Sequence, residues 1–176
     1  MTNSYGYDST WKDKLVSYNG EEITYDEIGN PLTYRGKTMT WTGRNLNKFT
    51  ENGKTVKYVY NASGVRTKKT VGSEVSDYYY SAGQLAYEKR GNKELYYSYD
   101  QDGTIAAICY VKEDGTTATY YAAVNSRGDV EALYNYKGEL VAEYCYDSWG
   151  KVISIKNASG NEITTETHIG LVNPIR

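Results

Sequence analysis

One histidine, His168, stands in a Thr-His-Ile-Gly stretch near the end of the 176-residue chain. Nucleophilic catalysis of the Ser/His/Asp or Cys/His kind needs such a His set against a nucleophile and oriented by a third group. No partner motif lies beside it, and the plainer assignment is a loop or turn residue. Carboxylates are plentiful, as in Glu21-Glu22, Asp26-Glu27 and Asp100/Asp102. Glycoside hydrolysis would need two of them facing each other across a cleft. Most fall instead at turn positions, where a side-chain oxygen has a structural task. Asp100-Gln101-Asp102-Gly103 echoes a calcium loop but lacks the third ligand positions and the closing bidentate Glu. Cys109 and Cys145, 36 residues apart, sit in apolar strand-like runs. They read as two small buried residues, with a disulfide between neighbouring repeats as the alternative. Two Cys with one distant His is not metal-ligand spacing. Glycines are spread one per turn, so there is no phosphate-binding loop. Asn61-Ala62-Ser63 and Asn157-Ala158-Ser159 match the glycosylation acceptor pattern, yet each precedes a turn glycine, which accounts for them. No catalytic residue, metal site or cofactor is assigned, and the chain reads as a non-enzyme.

The elements that carry these residues announce themselves through tyrosine, 21 of 176 residues against one Phe. Tyr25-Asp26-Glu27-Ile28-Gly29 recurs as Tyr60-Asn61-Ala62-Ser63-Gly64, Tyr99-Asp100-Gln101-Asp102-Gly103 and Tyr146-Asp147-Ser148-Trp149-Gly150, and one residue shorter as Tyr80-Ser81-Ala82-Gly83. Weaker copies are Trp41-Thr42-Gly43 and Val124-Asn125-Ser126-Arg127-Gly128. The glycines step by 14, 21, 19, 20, 25 and 22 residues, which is the signature of a repeat architecture. Within the phrase an Asp or Asn can accept from backbone N–H groups of its own turn, and the Gly can take positive φ. A second set of turns lies between: Asn19-Gly20, Asn52-Gly53, Gly91-Asn92, Asp114-Gly115 and Lys137-Gly138 read as short hairpin turns.

Between turns the pattern has period two. Val56, Tyr58 and Tyr60 share a face; so do Leu95, Tyr97 and Tyr99, and Leu140, Ala142, Tyr144 and Tyr146. The spacing predicts an all-β fold of about fourteen strands: an antiparallel hairpin-repeat sheet, one domain over residues 1–176 with roughly seven repeats. Such a sheet is expected to curl or spiral, because strands twist. Pairs such as Tyr78-Tyr79-Tyr80, Tyr96-Tyr97 and Tyr120-Tyr121 put rings on both faces. Ring ladders that hold register are the favoured reading, and sugar-stacking platforms the alternative.

Composition excludes several classes of partner. A net charge of −2 and a pI near 5.5 give no footprint for nucleic acid. The densest basic stretch, Val65-Arg66-Thr67-Lys68-Lys69, reads as the solvated face of a strand. Mean hydropathy is −0.70 and no apolar run approaches membrane length. Met1-Thr2-Asn3-Ser4-Tyr5-Gly6-Tyr7 has no secretion signal; if the protein is exported, the leader is expected upstream.

Together these phrases resemble the YD-repeat, or Rhs (rearrangement hotspot), family from Tyr5 to Arg176. The run from Val124 through Asn125-Ser126-Arg127-Gly128-Asp129 to Trp149-Gly150 is similar to the start of the Rhs-repeat-associated core, so residues 124–176 are assigned to it. His168-Ile169-Gly170-Leu171-Val172-Asn173-Pro174-Ile175-Arg176 resembles the lead into the family's NPFRYRG signature. The resemblance implies a spiralling β-shell that, in bacterial relatives, encloses a C-terminal toxin. It also implies a secreted or cell-surface bacterial protein whose partners are the other repeats and the enclosed domain. The sequence stops before the family's self-cleavage motif, so no residue inherits that role and the chain is expected to be a piece of a wall. Bare sheet edges lead us to expect self-association of the isolated piece. Adhesion or glycan binding through exposed Tyr and Trp149 is the second functional expectation. The residues carrying the scaffold reading are Tyr25, Asp26, Gly29, Tyr60, Gly64, Tyr80, Gly83, Tyr99, Asp100, Gly103, Gly128, Tyr146, Asp147, Trp149 and Gly150.

Overall fold

The computed structural model describes residues 2–175. Three short strands, β1 (Tyr5–Tyr7), β2 (Leu15–Tyr18) and β3 (Glu21–Glu22), form a small antiparallel sheet. The remaining strands are β4 (Thr33–Tyr34), β5 (Lys37–Thr42), β6 (Asn45–Glu51), β7 (Lys54–Tyr60), β8 (Arg66–Val71), β9 (Glu74–Ser81), β10 (Gln84–Arg90), β11 (Lys93–Tyr99), β12 (Ile105–Val111), β13 (Thr117–Val124), β14 (Val130–Tyr134), β15 (Leu140–Tyr146) and β16 (Val152–Lys156). They form one large antiparallel sheet of 13 strands in which spatial order follows chain order. Each strand's hydrogen-bonding partners are therefore its sequence neighbours, as a chain built only of hairpins demands.

The chain divides into two compact units, Met1–Asp77 and Tyr78–Arg176, and the division falls inside β9. In the second unit the alternation is sharp. Along β11, Leu95 and Tyr97 are buried while Tyr96 between them is exposed. Leu95, Ile108, Tyr110, Leu133, Ala142 and Tyr144 share a core with a single-turn helix, α1 (Ile169–Val172). Gly170 lets that helix approach: a Cβ there would sit 3.0 Å from Ala142 Cβ and 3.1 Å from Ile155 Cγ2. In the first unit, Ile23 and Val56 are the buried apolar residues, and Phe49, Tyr58 and Tyr60 stay half-buried.

Several details differ from the sequence reading. The described residues form sixteen strands rather than about fourteen, and α1 leaves no trace in the sequence because one turn offers no periodicity. Cys145 is exposed and Cys109 only half-buried, both as free thiols. In runs apolar on both faces, such as Ile105 to Val111, period two cannot say which face is covered. A disulfide between them is excluded: three strand spacings, from β12 to β15, separate the cysteines by about 14 Å, twice the Cα reach of a bridge.

Candidate functional site

In a meander, successive turns alternate between the two rims of the sheet, so a repeat two strands long returns its marked turn to the same rim. The turns after Tyr60, Tyr99, Val124 and Tyr146 share one geometry. At Asp100 the backbone N–H donates to Thr104 O (2.9 Å), and Gly103 N–H donates to Asp100 O (3.1 Å). One side-chain oxygen, Asp100 Oδ1, accepts from both Asp102 N–H and Thr104 N–H (2.9 Å each). Asn61, Asn125 and Asp147 repeat this pattern, and Asp26 in the small N-terminal region does so too. Gly29, Gly64, Gly103, Gly128 and Gly150 all stand at φ between +76° and +87°. This is a type I turn closed by a glycine in the left-handed region, a three-residue hairpin connection.

The extra loop residue has a consequence downstream. Opposite each of these turns the ladder slips by one: Tyr60 faces Arg66 while Val59 faces Lys68, leaving Thr67 unmatched. Ala106, Glu131 and Ile153 are skipped in the same way, each six residues after its Asp or Asn. Such bulges increase local twist, and here one follows each of these four turns.

The motif tyrosines close the gap that this twist opens. The β10–β11 ladder runs from Arg90/Lys93 only as far as Tyr87/Tyr96. Beyond it, Tyr99 Oη donates to the carbonyl of Leu85 (2.9 Å). Tyr60 does the same for Leu46 (3.0 Å), past the end of the β6–β7 ladder, and Tyr146 for Val130 (2.6 Å), past the end of β14–β15. Tyr25 donates to Leu15 O (2.6 Å). Phe could fill the space but could not satisfy these carbonyls, which accounts for Tyr rather than Phe at these four positions. Amide side chains add a second stitch from one turn to the next. Asn30 Nδ2 donates to Gly43 O (2.7 Å), and Gln84 Nε2 donates to Gly103 O (3.0 Å). Neither tyrosine hydroxyls nor these amides were singled out from sequence, since their acceptors are backbone atoms 10 to 19 residues away.

Two assignments of turn type change. Asp114-Gly115 and Lys137-Gly138 belong to longer loops of the motif kind, closed by Lys112 N–H to Thr116 O (2.8 Å) and Asn135 N–H to Glu139 O (2.9 Å). Gly83 belongs to a two-residue turn with Ala82, at φ +50° and +82°, and Gly43 opens a two-residue turn with Arg44. Tyr80 is exposed near the end of β9, and Trp149, on its turn, is 91% exposed.

A buried polar cluster lies in the second unit. Glu88 is fully buried and accepts from Arg90 Nε (3.0 Å), Arg90 Nη2 (2.7 Å) and Tyr97 Oη (3.1 Å). Burial, reinforced by the Glu88 charge, pushes the Tyr97 phenol far up. Burial works against the Arg90 charge, but the hydrogen bond and the negative charge of Glu88 together outweigh it and raise the pKa. Arg90 also reaches Val172 O (3.4 Å), so the cluster touches the segment bearing α1. His168 caps that helix: its Nδ1 accepts from Gly170 N–H (3.0 Å). Burial, and then the Lys112 charge, lower the His168 pKa. On the opposite face Tyr87 stacks on Tyr96 with ring centroids 4.7 Å apart and meets Tyr79 at a tilt, 5.2 Å away. Burial and then Glu94 push the Tyr87 phenol up to about 12. No group of three or more metal-ligating side chains occurs among the described residues, and no helix there is long and apolar enough to cross a membrane.

A twenty-residue unit of strand, motif turn, strand and return turn, stitched by the motif tyrosine, matches the family model described as Teneurin YD-shell over residues 1–166. The chain belongs to the teneurin YD-shell family. Curated relatives agree. The tRNA3(Ser)-specific nuclease WapA of Bacillus spizizenii (strain DSM 15029 / JCM 12233 / NBRC 101239 / NRRL B-23049 / TU-B-10) is 32% identical over 143 residues, 78% of this chain. The tRNA nuclease WapA of Bacillus subtilis (strain 168) is 32% identical over 145 residues, also 78%. The match spans 6% of the length of each relative. Among solved structures, the crystal structure of TcdB2-TccC3-TEV aligns with a TM-score of 0.55 at 14% identity, covering 88% of this chain and 11% of that one. That likeness shows the fold, a YD-shell sheet.

Proposed function

We propose that this YD-shell chain is a stretch of wall in a larger shell, and that the shell encloses a C-terminal domain carrying the whole protein's activity. The observation that supports the reading is the stitching itself. Tyrosine hydroxyls and turn amides are spent on backbone carbonyls of the preceding or following repeat, an arrangement that extends a sheet rather than shaping a cleft. The motif acids are engaged likewise: Asp26, Asp100 and Asp147 each accept two backbone N–H groups within their own turns. The segment itself then contributes no catalysis, and nuclease action of the kind named for its relatives would reside in other parts of such proteins. The setting is a secreted or surface-exposed bacterial protein. The test is to read the encoding frame on both sides of this segment, express the whole product and digest it with a dilute protease. A C-terminal domain that is cut only after the YD wall is disrupted supports enclosure. A domain digested at the rate of its isolated form overturns it.

One observation favours a second reading, adhesion to glycans. Trp149 at 91% and Tyr136 at 77% exposure sit on turns with their rings in solvent, the kind of face that stacks on sugars. The Tyr79–Tyr87–Tyr96 row is less suited, because the middle ring's two faces are occupied by its neighbours. Glycan-array binding lost in a Trp149→Ala, Tyr136→Ala variant would support this reading; no binding by the parent chain would remove it.

A further inference from the structure

The first unit carries a face of a different chemistry. In an antiparallel ladder, directly opposed residues share a face. The register Thr40/Lys48, Lys48/Lys57, Lys57/Thr70 therefore runs one row across β5 to β8. The row beside it is Thr38, Thr50 and Thr55, with the Thr50 and Thr55 hydroxyls 3.1 Å apart. This face, opposite the one that buries Val56, is made of hydroxyls and ammonium groups. Residues 45–71 hold Lys48, Lys54, Lys57, Arg66, Lys68 and Lys69 against a single acid, Glu51. That acid is taken by Lys37 (2.9 Å), and Lys68 is taken by Asp77 (3.0 Å). Lys48 and Lys57, which lie on this face, have no carboxylate partner among the described residues; Lys54 stands on the other face, across from Glu51. Lys54 and Lys57 line an open groove of about 630 Å³ with Thr55 and Thr70.

Lys48 directly opposite Lys57 is costly for a folded sheet, since like charges in a cross-strand pair repel. Elsewhere the same sheet matches or neutralises its cations: Lys68 faces Asp77 and Lys89 faces Glu94, and where Arg90 faces Lys93 the two are paired with Glu88 and Glu113. An anion lying along the row would relieve the repulsion. From this we propose that the Thr/Lys face of β5 to β8 is an interaction surface for a linear polyanion with phosphodiester groups on a sugar or polyol backbone. Charge complementarity supplies the attraction and threonine hydroxyls meet the backbone oxygens. The groove's lining contains no aromatic ring on which a base could stack, so nucleic acid is the poorer fit. The surface is independent of what the shell encloses.

The test measures binding of a labelled poly(glycerol phosphate) chain to the intact 176-residue protein between 50 and 200 mM salt, with tRNA and neutral dextran alongside. Each neutralised phosphate on a flexible strand contributes about 0.7 to the log–log salt slope. The two lysines of the row then give a slope of about −1.4, or roughly sevenfold weaker binding over that range. Lys48→Gln with Lys57→Gln should remove both contacts and, with them, most of the salt dependence of binding. The variant should keep or raise the melting temperature, because it removes a like-charge pair. No binding by the parent protein at 50 mM salt, unchanged binding by the variant, or tighter binding of tRNA than of poly(glycerol phosphate) would each overturn the proposal.

Discussion

Replacing Tyr99 by Phe should unfasten one stitch while leaving the packing volume in place. The variant loses the hydroxyl that donates to Leu85 O at 2.9 Å. A typical net hydrogen bond contributes about 0.5–1.5 kcal/mol, and an acceptor left without a partner adds to the loss. Tyr99 is half-buried, so water can partly replace the lost donor, and we expect a cost of about 1 kcal/mol. Tyr146→Phe removes the corresponding bond to Val130 O at 2.6 Å. Four strand spacings, about 19 Å, separate the two sites, so their effects should add to about 2 kcal/mol. Tyr136→Phe is the control, because that ring is 77% exposed and its hydroxyl meets no acceptor among the described residues. Urea denaturation gives the totals. Amide exchange at Leu85–Tyr87 and at Val130–Ala132 should show the loss locally, as faster opening at the strand ends that the tyrosines bridge. Tyr99→Phe and Tyr146→Phe variants indistinguishable from Tyr136→Phe would refute the stitching argument.

Other substitutions probe the turns and the buried cluster. Ala82 holds φ +50° in a two-residue turn where Asn is better suited, so Ala82→Asn should stabilise by about 0.5–1 kcal/mol in urea titrations. Gly103→Ala should cost more than Gly150→Ala, although both sit near φ +80°. Only at Gly103 would the new Cβ meet a neighbour, Gln84 Nε2 at 2.9 Å, and displace its bond to the turn. Glu88→Ala strands Arg90 and the Tyr97 hydroxyl, and should cost about 3 kcal/mol, near the low end for a broken buried pair because Arg90 keeps some access to water. His168 has a folded pKa below its unfolded value of about 6.5. The neutral cap is therefore fully effective above that pH and weakens as pH falls through 6.5 towards the folded value. Protection factors at Gly170–Val172, which are corrected for the slower intrinsic exchange at low pH, should fall between pH 7 and pH 5, and His168→Asn, which caps without titrating, should abolish the change.

Much of this architecture is legible because it is local. A Tyr-Asp-x-x-Gly phrase and the one residue after it contain every hydrogen-bonding group of the turn, and period two assigns Leu95 and Tyr97 to one face and Tyr96 to the other. What sequence hides is register. Whether Gly83 ends a two-residue or a three-residue loop depends on which residues face each other across the hairpin, and one position decides it. Cys145 reads as buried because its run is largely apolar, but Glu143 shares its face and marks that side as solvent-facing, opposite the side of Ala142 and Tyr144 that α1 covers. Glu88, an acid in the middle of β10, gives no signal until Arg90 and Tyr97 are brought together by the β10–β11 pairing. The tyrosine and amide stitches are equally silent, since their acceptors are main-chain carbonyls that any residue supplies.

The most direct test of the wall reading is a cryo-EM structure of the complete protein from which this segment comes. The account predicts that β4 to β16 continue, strand by strand, into further YD repeats that surround density for a C-terminal domain. A segment standing apart from any surrounding sheet, with that domain outside in solvent, would contradict it.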